Sequence, residues 1–217
     1  MRSHDSSGDG SAPDGGAGGG SAMTPGRHPV RVDGRWVEVP VAAMGDESLV
    51  VPVVAALVFP DDRRERLLLQ RRDKPDAVRG RWEIPMGRWR AGETPTEAVT
   101  REVEEETGLR VLRVEAPHVR HEAAPERPFL ALQPLAVTVG VGGAYPVLHL
   151  AFACIAAGDP RPLPGETADP GWVEIDRLQE MLAEPESFTG PALAILRTWL
   201  FPEATFAAGR PPDGGRS

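Results

Sequence analysis

The sequence TPTEAVTREVEEETGL contains signals for both ends of one α-helix. Its first four residues have the form of a capping box, in which Thr94 caps the helix, Pro95 takes the first helical position and Glu97 reaches back to the cap. Gly108 suits the left-handed backbone conformation that ends many helices. We therefore predict a helix from Pro95 to Thr107.

Three glutamates of this predicted helix, Glu102, Glu105 and Glu106, are related by three and four residues and share one face. An apolar stripe suited to packing on a sheet is formed by Ala98, Val99 and Val103. Adjacent carboxylates repel one another unless cations lie between them, and hard cations such as Mg²⁺ take oxygen ligands and bridge carboxylates to phosphates. The helix taken alone leaves two interpretations open, a divalent-metal site and a solvated acidic surface.

Strand patterns occur on both sides of the helix. Apolar runs predict β-strands in VVPVVAALVFP, LLLQRR, FLALQPLAVTV, YPVLHLAFACIAA and GWVEI. An Asp33-Gly34 turn between alternating apolar residues predicts a β-hairpin within residues 29–45. Two more helices are predicted in DRLQEMLAE and PALAILRTWLF. Strands interleaved with helices predict an α/β sandwich with a mixed sheet.

Composition limits the number of domains. The chain has 217 residues, of which 41% are hydrophobic, and this suffices for one core. Residues 1–28 and 206–217 are poor in large apolar side chains and predict disordered tails. We therefore expect a single domain from residue 29 to residue 205.

Charge and hydropathy restrict the partners. The net charge of −8 argues against a nucleic-acid partner bound through bulk charge. No apolar stretch approaches membrane-spanning length, and the N-terminus has no apolar signal region. We therefore expect a cytoplasmic protein without membrane contact. The single cysteine, Cys154, lies in an apolar run and excludes a disulfide framework.

The segment from Gly87 to Leu109 resembles the Nudix box, G-x5-E-x7-R-E-U-x-E-E-x-G-U, where U is a bulky aliphatic residue. Every specified position is matched, by Gly87, Glu93, Arg101, Glu102, Val103, Glu105, Glu106, Gly108 and Leu109. The resemblance covers about residues 50–200 and implies a Nudix-type α/β/α sandwich. It also implies a pyrophosphohydrolase dependent on Mg²⁺ or Mn²⁺. In such an enzyme, water attacks a phosphorus of a nucleoside diphosphate linked to another moiety.

The resemblance implies a metal site. Glu102, Glu105 and Glu106 would ligate the metal, directly or through water, and the backbone carbonyl of Met86 would complete the coordination. Nudix proteins usually have Gly or Ala at the position of Met86.

Four other residues of the box also receive roles from the resemblance. Arg101 would orient the glutamates, and Glu93 would be its structural partner. Gly87 and Gly108 would have structural roles.

Matches outside the metal site are less specific. Arg72 resembles a strand-end arginine that binds substrate phosphate, and the alternative is an ordinary charged strand end. Glu166 lies six residues before Trp172, the spacing of a loop glutamate that is a metal ligand or general base in similar enzymes. The alternative for Glu166 is a solvated loop residue. Trp89 is a candidate substrate contact, although a tryptophan there is more often part of the core.

Several functional questions stay open at this point. Glu102 and Glu166 are both candidates for the general base. The expected partner is a small nucleotide, such as a nucleoside triphosphate, ADP-ribose or a nucleotide sugar, and the chain could be a monomer or a homodimer. The alternative function is a Nudix-fold module that binds nucleotides without catalysis.

Overall fold

The computed structural model describes residues 27–32, 35–40, 50–116, 118–121, 129–140 and 146–202. The chain divides into two compact units, Met1–Gly45 and Asp46–Ser217. The first unit contains strands β1 (Arg27–Val32) and β2 (Arg35–Pro40), which pair antiparallel, as predicted for this segment. The predicted turn at Asp33-Gly34 lies outside the described residues. The predicted tails do too, except for two N-terminal residues that belong to β1.

The second unit contains ten strands and three α-helices within its described residues. In chain order these are β3 (Val51–Phe59), β4 (Arg66–Arg72), β5 (Trp82–Glu83), β6 (Met86–Arg88), α1 (Pro95–Thr107), β7 (Arg110–Glu115), β8 (His118–His121), β9 (Phe129–Leu132), β10 (Ala136–Gly140), β11 (Val147–Ala157), β12 (Thr167–Glu174), α2 (Ile175–Met181) and α3 (Gly190–Leu200). No helix in these described segments is long and apolar enough to cross a membrane.

Two strand predictions need correction. The segment FLALQPLAVTV forms two strands, β9 and β10, because Pro134 lacks the N–H group that a continuous ladder requires. Strand β12 begins at Thr167, before the predicted GWVEI segment. Asp169 adopts a positive φ of 46° there, and the register with β4 shifts between Ala168 and Gly171, so a β-bulge stands where a loop is expected.

The strands form a mixed sheet, as predicted. Its order is β10-β11-β3-β6, and β7 pairs with the later part of β11. Strands β11 and β3 run parallel, whereas the other pairs of this sheet are antiparallel. A second, antiparallel sheet has the order β12-β4-β5, and β8 pairs with β9 separately.

Alternate residues of the central strands face two separate cores, because successive side chains of a strand point to opposite sides. Ala55, Leu57 and Phe59 of β3 pack in one cluster with residues of α2 and α3. Val54, Ala56 and Val58 pack in the other with the apolar stripe of α1, Ala98, Val99 and Val103. The unit is therefore an α/β/α sandwich, and α1 packs beside β3, β6 and β7.

Candidate active site

Helix α1 has the ends that the sequence predicts. The Glu97 backbone N–H donates to Thr94 Oγ1 at 3.3 Å, and the Thr94 backbone N–H donates to Glu97 Oε2 at 2.7 Å. Gly108 has a φ of 67°, and its N–H donates to the Glu104 carbonyl. The side chain of Glu97 therefore belongs to the cap. These contacts fix the two ends of α1, and its apolar stripe packs in the core.

The three glutamates of the shared face differ in exposure. Glu102 and Glu106 are buried, with 8% and 3% of their surface exposed. The Glu105 side chain is 45% exposed and lies at the rim, where it accepts from Arg101 and Arg90, each at 3.3 Å. The two buried carboxylates are consequently the ones that carry a desolvation cost.

Arg101 links the loop before α1 to the glutamates. Its Nε and Nη2 donate to the two oxygens of Glu93 at 2.6 and 3.0 Å, and Nη2 also donates to the Arg88 carbonyl at 3.1 Å. Its Nη1 donates to Glu102 at 2.5 Å and to Glu105 at 3.3 Å. The hydrogen bond from Arg101 lowers the pKa of Glu93. Arg101 thus connects Glu93 with Glu102 and Glu105.

Glu102 packs directly on the backbone of Gly87. A Cβ atom on Gly87 would lie 2.1 Å from the Glu102 Cδ and Oε2 atoms, closer than any real contact. Gly87 belongs to β6 and pairs with Val54 of β3, so the sheet fixes its position. A glycine is needed here because the buried carboxylate occupies the space of a side chain. Burial raises the pKa of Glu102.

Glu106 is held by two neutral donors on one oxygen. Gln70 Nε2 donates to Glu106 Oε2 at 2.7 Å, and the Met86 backbone N–H donates to the same atom at 3.2 Å. Burial raises the pKa of Glu106 to about 8, and the nearby charges of Glu83 and Glu102 contribute to the increase. The hydrogen bond from Gln70 acts in the opposite direction. The charged form of Glu106 is therefore costly without a cation.

Sequence reasoning missed Gln70 and Glu83. They are cross-strand partners on β4 and β5, and both are buried, with 0% and 3% of their surface exposed. Burial raises the pKa of Glu83. One feature of the sequence could have indicated Glu83: it is a charged residue between Trp82 and Ile84, in an otherwise apolar stretch. Their proximity to Glu106 follows only from the packing of the smaller sheet on α1.

Arg72 ends β4, as predicted, and is engaged by carboxylates. Its Nε and Nη2 donate to Asp76 Oδ2 at 2.8 and 2.5 Å, and its Nη1 reaches Glu83 at 3.5 Å. A substrate phosphate would have to compete with Asp76 for this guanidinium.

Glu166 directly precedes β12 and does not belong to the glutamate face of α1. Its side chain is half exposed and pairs with Lys74 Nζ at 3.2 Å. Its backbone carbonyl accepts from the Asp73 N–H at 2.8 Å, which ties this segment to the end of β4. Glu166 lies in a turn, and the strand that follows it restrains this segment.

Trp89 lies in the loop after β6. Its indole N–H donates to the Glu93 carbonyl at 2.8 Å, and its ring packs against the core on the α1 side. These contacts match the alternative of a core residue, and its contact with substrate stays a prediction.

A family model described as the NUDIX domain matches residues 51–191. The chain belongs to the Nudix family. A CMP-5'-(N-acetyl-N-hydroxy-3-aminopropyl)phosphonate hydrolase from Streptomyces rubellomurinus is 29% identical over 161 residues, which are 74% of this chain and 70% of that protein. Putative nudix hydrolase 1 from Caenorhabditis elegans is 50% identical over 58 residues, which are 26% of this chain and 15% of that protein.

Solved structures support the Nudix fold. A MutT NUDIX hydrolase from Burkholderia pseudomallei superposes with a TM-score of 0.51 at 22% identity, covering 69% of this chain and 98% of that one. The NUDIX domain of Shewanella oneidensis NrtR complexed with ADP ribose gives a TM-score of 0.51 at 14% identity, covering 72% of this chain and 92% of that one.

The donor set of this Nudix site fits a hard divalent cation. It consists of carboxylates, and the buried Glu106 has a raised pKa that a cation would offset. Gln70 Oε1 is buried without a hydrogen-bond partner. The described residues contain no preformed group of three or more His, Cys, Asp or Glu side chains that could hold a metal. Arg101 holds Glu102 and Glu105, whereas Gln70 holds Glu106.

A shallow, open depression lies on the outer side of α1. It is lined by Thr96, Glu97, Thr100, Arg101, Glu104 and Glu105. It shares Arg101 and Glu105 with the candidate site but does not include the buried carboxylates of Glu102 and Glu106.

Proposed function

We propose that this chain is a pyrophosphohydrolase dependent on Mg²⁺ or Mn²⁺ that cleaves a nucleoside diphosphate linked to another moiety. The observation that carries the proposal is the pair of buried carboxylates, Glu102 packed on Gly87 and Glu106 held by Gln70. Burial raises the pKa of both carboxylates, so two buried negative charges cost stability without a cation. The family of the chain and its complete set of motif residues support catalysis.

Glu102, Glu105, Glu106 and the Met86 carbonyl would hold the cation, which would neutralise phosphate charge and lower the pKa of bound water. Arg101 keeps Glu102 and Glu105 in place through its hydrogen bonds, while Glu93 anchors Arg101 from the loop.

Glu166 is the better candidate for the general base, because its carboxylate is half exposed, whereas the Glu102 carboxylate is buried. The Glu102 carboxylate is buried against Gly87 and lies on the same face of α1 as Glu105 and Glu106, which suits a ligand. Arg72 would bind a substrate phosphate once that phosphate displaces Asp76 from its guanidinium.

The test is a panel of substrates with Mg²⁺ or Mn²⁺, including nucleoside triphosphates, an oxidised dGTP, ADP-ribose, nucleotide sugars and a CMP-linked phosphonate. The Streptomyces relative is the reason for the last compound. Turnover in H₂¹⁸O identifies the phosphorus that water attacks. We expect hydrolysis of at least one class, with loss of turnover in EDTA and in Glu106→Gln.

The alternative is a nucleotide-binding module without catalysis, which the likeness to the NrtR domain makes worth testing. Calorimetry would test whether a compound of the panel binds. Binding without hydrolysis in the presence of Mg²⁺ or Mn²⁺ would favour this alternative and contradict the proposal of an enzyme.

A further inference from the structure

We propose that Gln70 is a positioning residue that fixes the Glu106 carboxylate for metal binding. The inference rests on the proposed function, because it assumes that Glu106 is a ligand. Gln70 lies on β4, 36 positions from Glu106 in the sequence, and is completely buried. It is outside the Nudix motif, and its side chain reaches the site only because β4 packs against the last turn of α1.

Two hydrogen bonds hold one oxygen of the Glu106 carboxylate, Oε2, and neither of them uses the other oxygen, Oε1. Both hydrogen bonds described for the carboxylate, from Gln70 Nε2 at 2.7 Å and from the Met86 N–H at 3.2 Å, fall on Oε2 of Glu106. Two donors on one atom restrict the rotation of the carboxylate and keep Oε1 for a cation. Hydrogen-bonded partners of this kind orient metal ligands and affect metal affinity.

The amide of Gln70 suits this role better than a charged group would. A lysine or arginine at this position would neutralise Glu106 and compete with the metal, whereas an amide donates a hydrogen bond and leaves the negative charge available. With Nε2 directed at Glu106, Gln70 Oε1 is a buried acceptor without a partner. Buried acceptors are usually satisfied, so this one indicates a donor from outside the chain, such as water bound to a cation.

The last turn of α1 has a second attachment that does not need Gln70. Thr167 Oγ1, on β12, donates to the backbone carbonyl of Glu106 at 3.0 Å. The same smaller sheet therefore holds the helix through the backbone and the carboxylate through Gln70. Removing the Gln70 amide should release the carboxylate while the helix stays in place.

The experiment measures Mn²⁺ affinity by electron paramagnetic resonance, without substrate, in a double-mutant cycle of Gln70→Met and Glu106→Gln. Methionine has a similar length and lacks the donor. We expect Gln70→Met to weaken Mn²⁺ binding by about tenfold to a hundredfold in the wild-type background. In the Glu106→Gln background we expect less than about a twofold effect, since Gln70 acts through Glu106.

The matched control is Thr138→Val, which also removes a buried oxygen without a partner but lies on β10, and it should leave Mn²⁺ affinity unchanged. If Gln70→Met does not fold, Gln70→Asn replaces it, because the shorter amide cannot reach Glu106. Equal effects in both backgrounds, or no effect while the wild type binds Mn²⁺, would overturn the role of Gln70. A wild type that does not bind Mn²⁺ would overturn the metal site of the proposed function as well.

Discussion

Replacing Gly87 with alanine tests whether the buried position of Glu102 matters for catalysis. The new Cβ would lie 2.1 Å from the Glu102 Cδ, and ordinary contact begins at 3.4 Å, so the carboxylate must retreat by about 1.3 Å. Strand pairing with β3 restrains Gly87, so the side chain of Glu102 has to move. The movement would disturb its hydrogen bond with Arg101.

The expected magnitude follows from this displacement. A misplacement of about 1 Å in a catalytic site can reduce the rate by roughly a hundredfold, which corresponds to about 2.7 kcal/mol in the barrier. The cost in folding stability should be smaller, about 1–2 kcal/mol, because the obstructed atoms are the end of a flexible side chain. Gly87→Ala should therefore lower kcat strongly while the protein remains folded.

The assay compares kcat, the Mg²⁺ concentration at half-maximal rate and the melting temperature with those of the wild type, on a substrate found in the panel. Gly171→Ala is the matched control, since a Cβ there meets no atom within 4 Å. We expect the control to keep wild-type kinetics. A Gly87→Ala variant with kcat within threefold of wild type would refute the argument that the close packing of Glu102 on Gly87 serves catalysis.

Three other predictions concern the glutamates. The folded-state pKa of Glu106, about 8, exceeds the ordinary value of 4.5, so its contribution to stability is complete below pH 4.5 and is lost as the pH rises through 8. Melting in EDTA should thus show a less stable protein at pH 8 than at pH 5, and a smaller difference for Glu106→Gln. Glu105→Gln should lower kcat at least about a hundredfold with little change in melting temperature, because Glu105 is partly exposed; near-normal turnover would exclude it as a ligand. When the rate is titrated with Mg²⁺, Glu102→Gln should raise the Mg²⁺ concentration at half-maximal rate, whereas Glu166→Gln should lower kcat alone. Equal shifts of this concentration in both variants would make Glu166 a ligand.

The sequence by itself determined the helix that carries the site. Both ends of α1 depend on residues within a few positions of each other, namely the capping box at Thr94 and the left-handed Gly108. Such local interactions are visible in a linear pattern. The mixed sheet was also predictable, because continuous apolar runs such as β3 and β11 have few alternatives to burial between helices.

Only the tertiary structure decided how the three glutamates differ. Their spacing places them on one face, yet Glu102 and Glu106 are buried and Glu105 is at the rim, because Glu102 packs on β6 and Glu106 contacts Gln70 of β4. Long-range packing also brought Gln70 to Glu106. No local pattern encodes a contact between residues so distant in sequence, since it depends on how a sheet and a helix pack together.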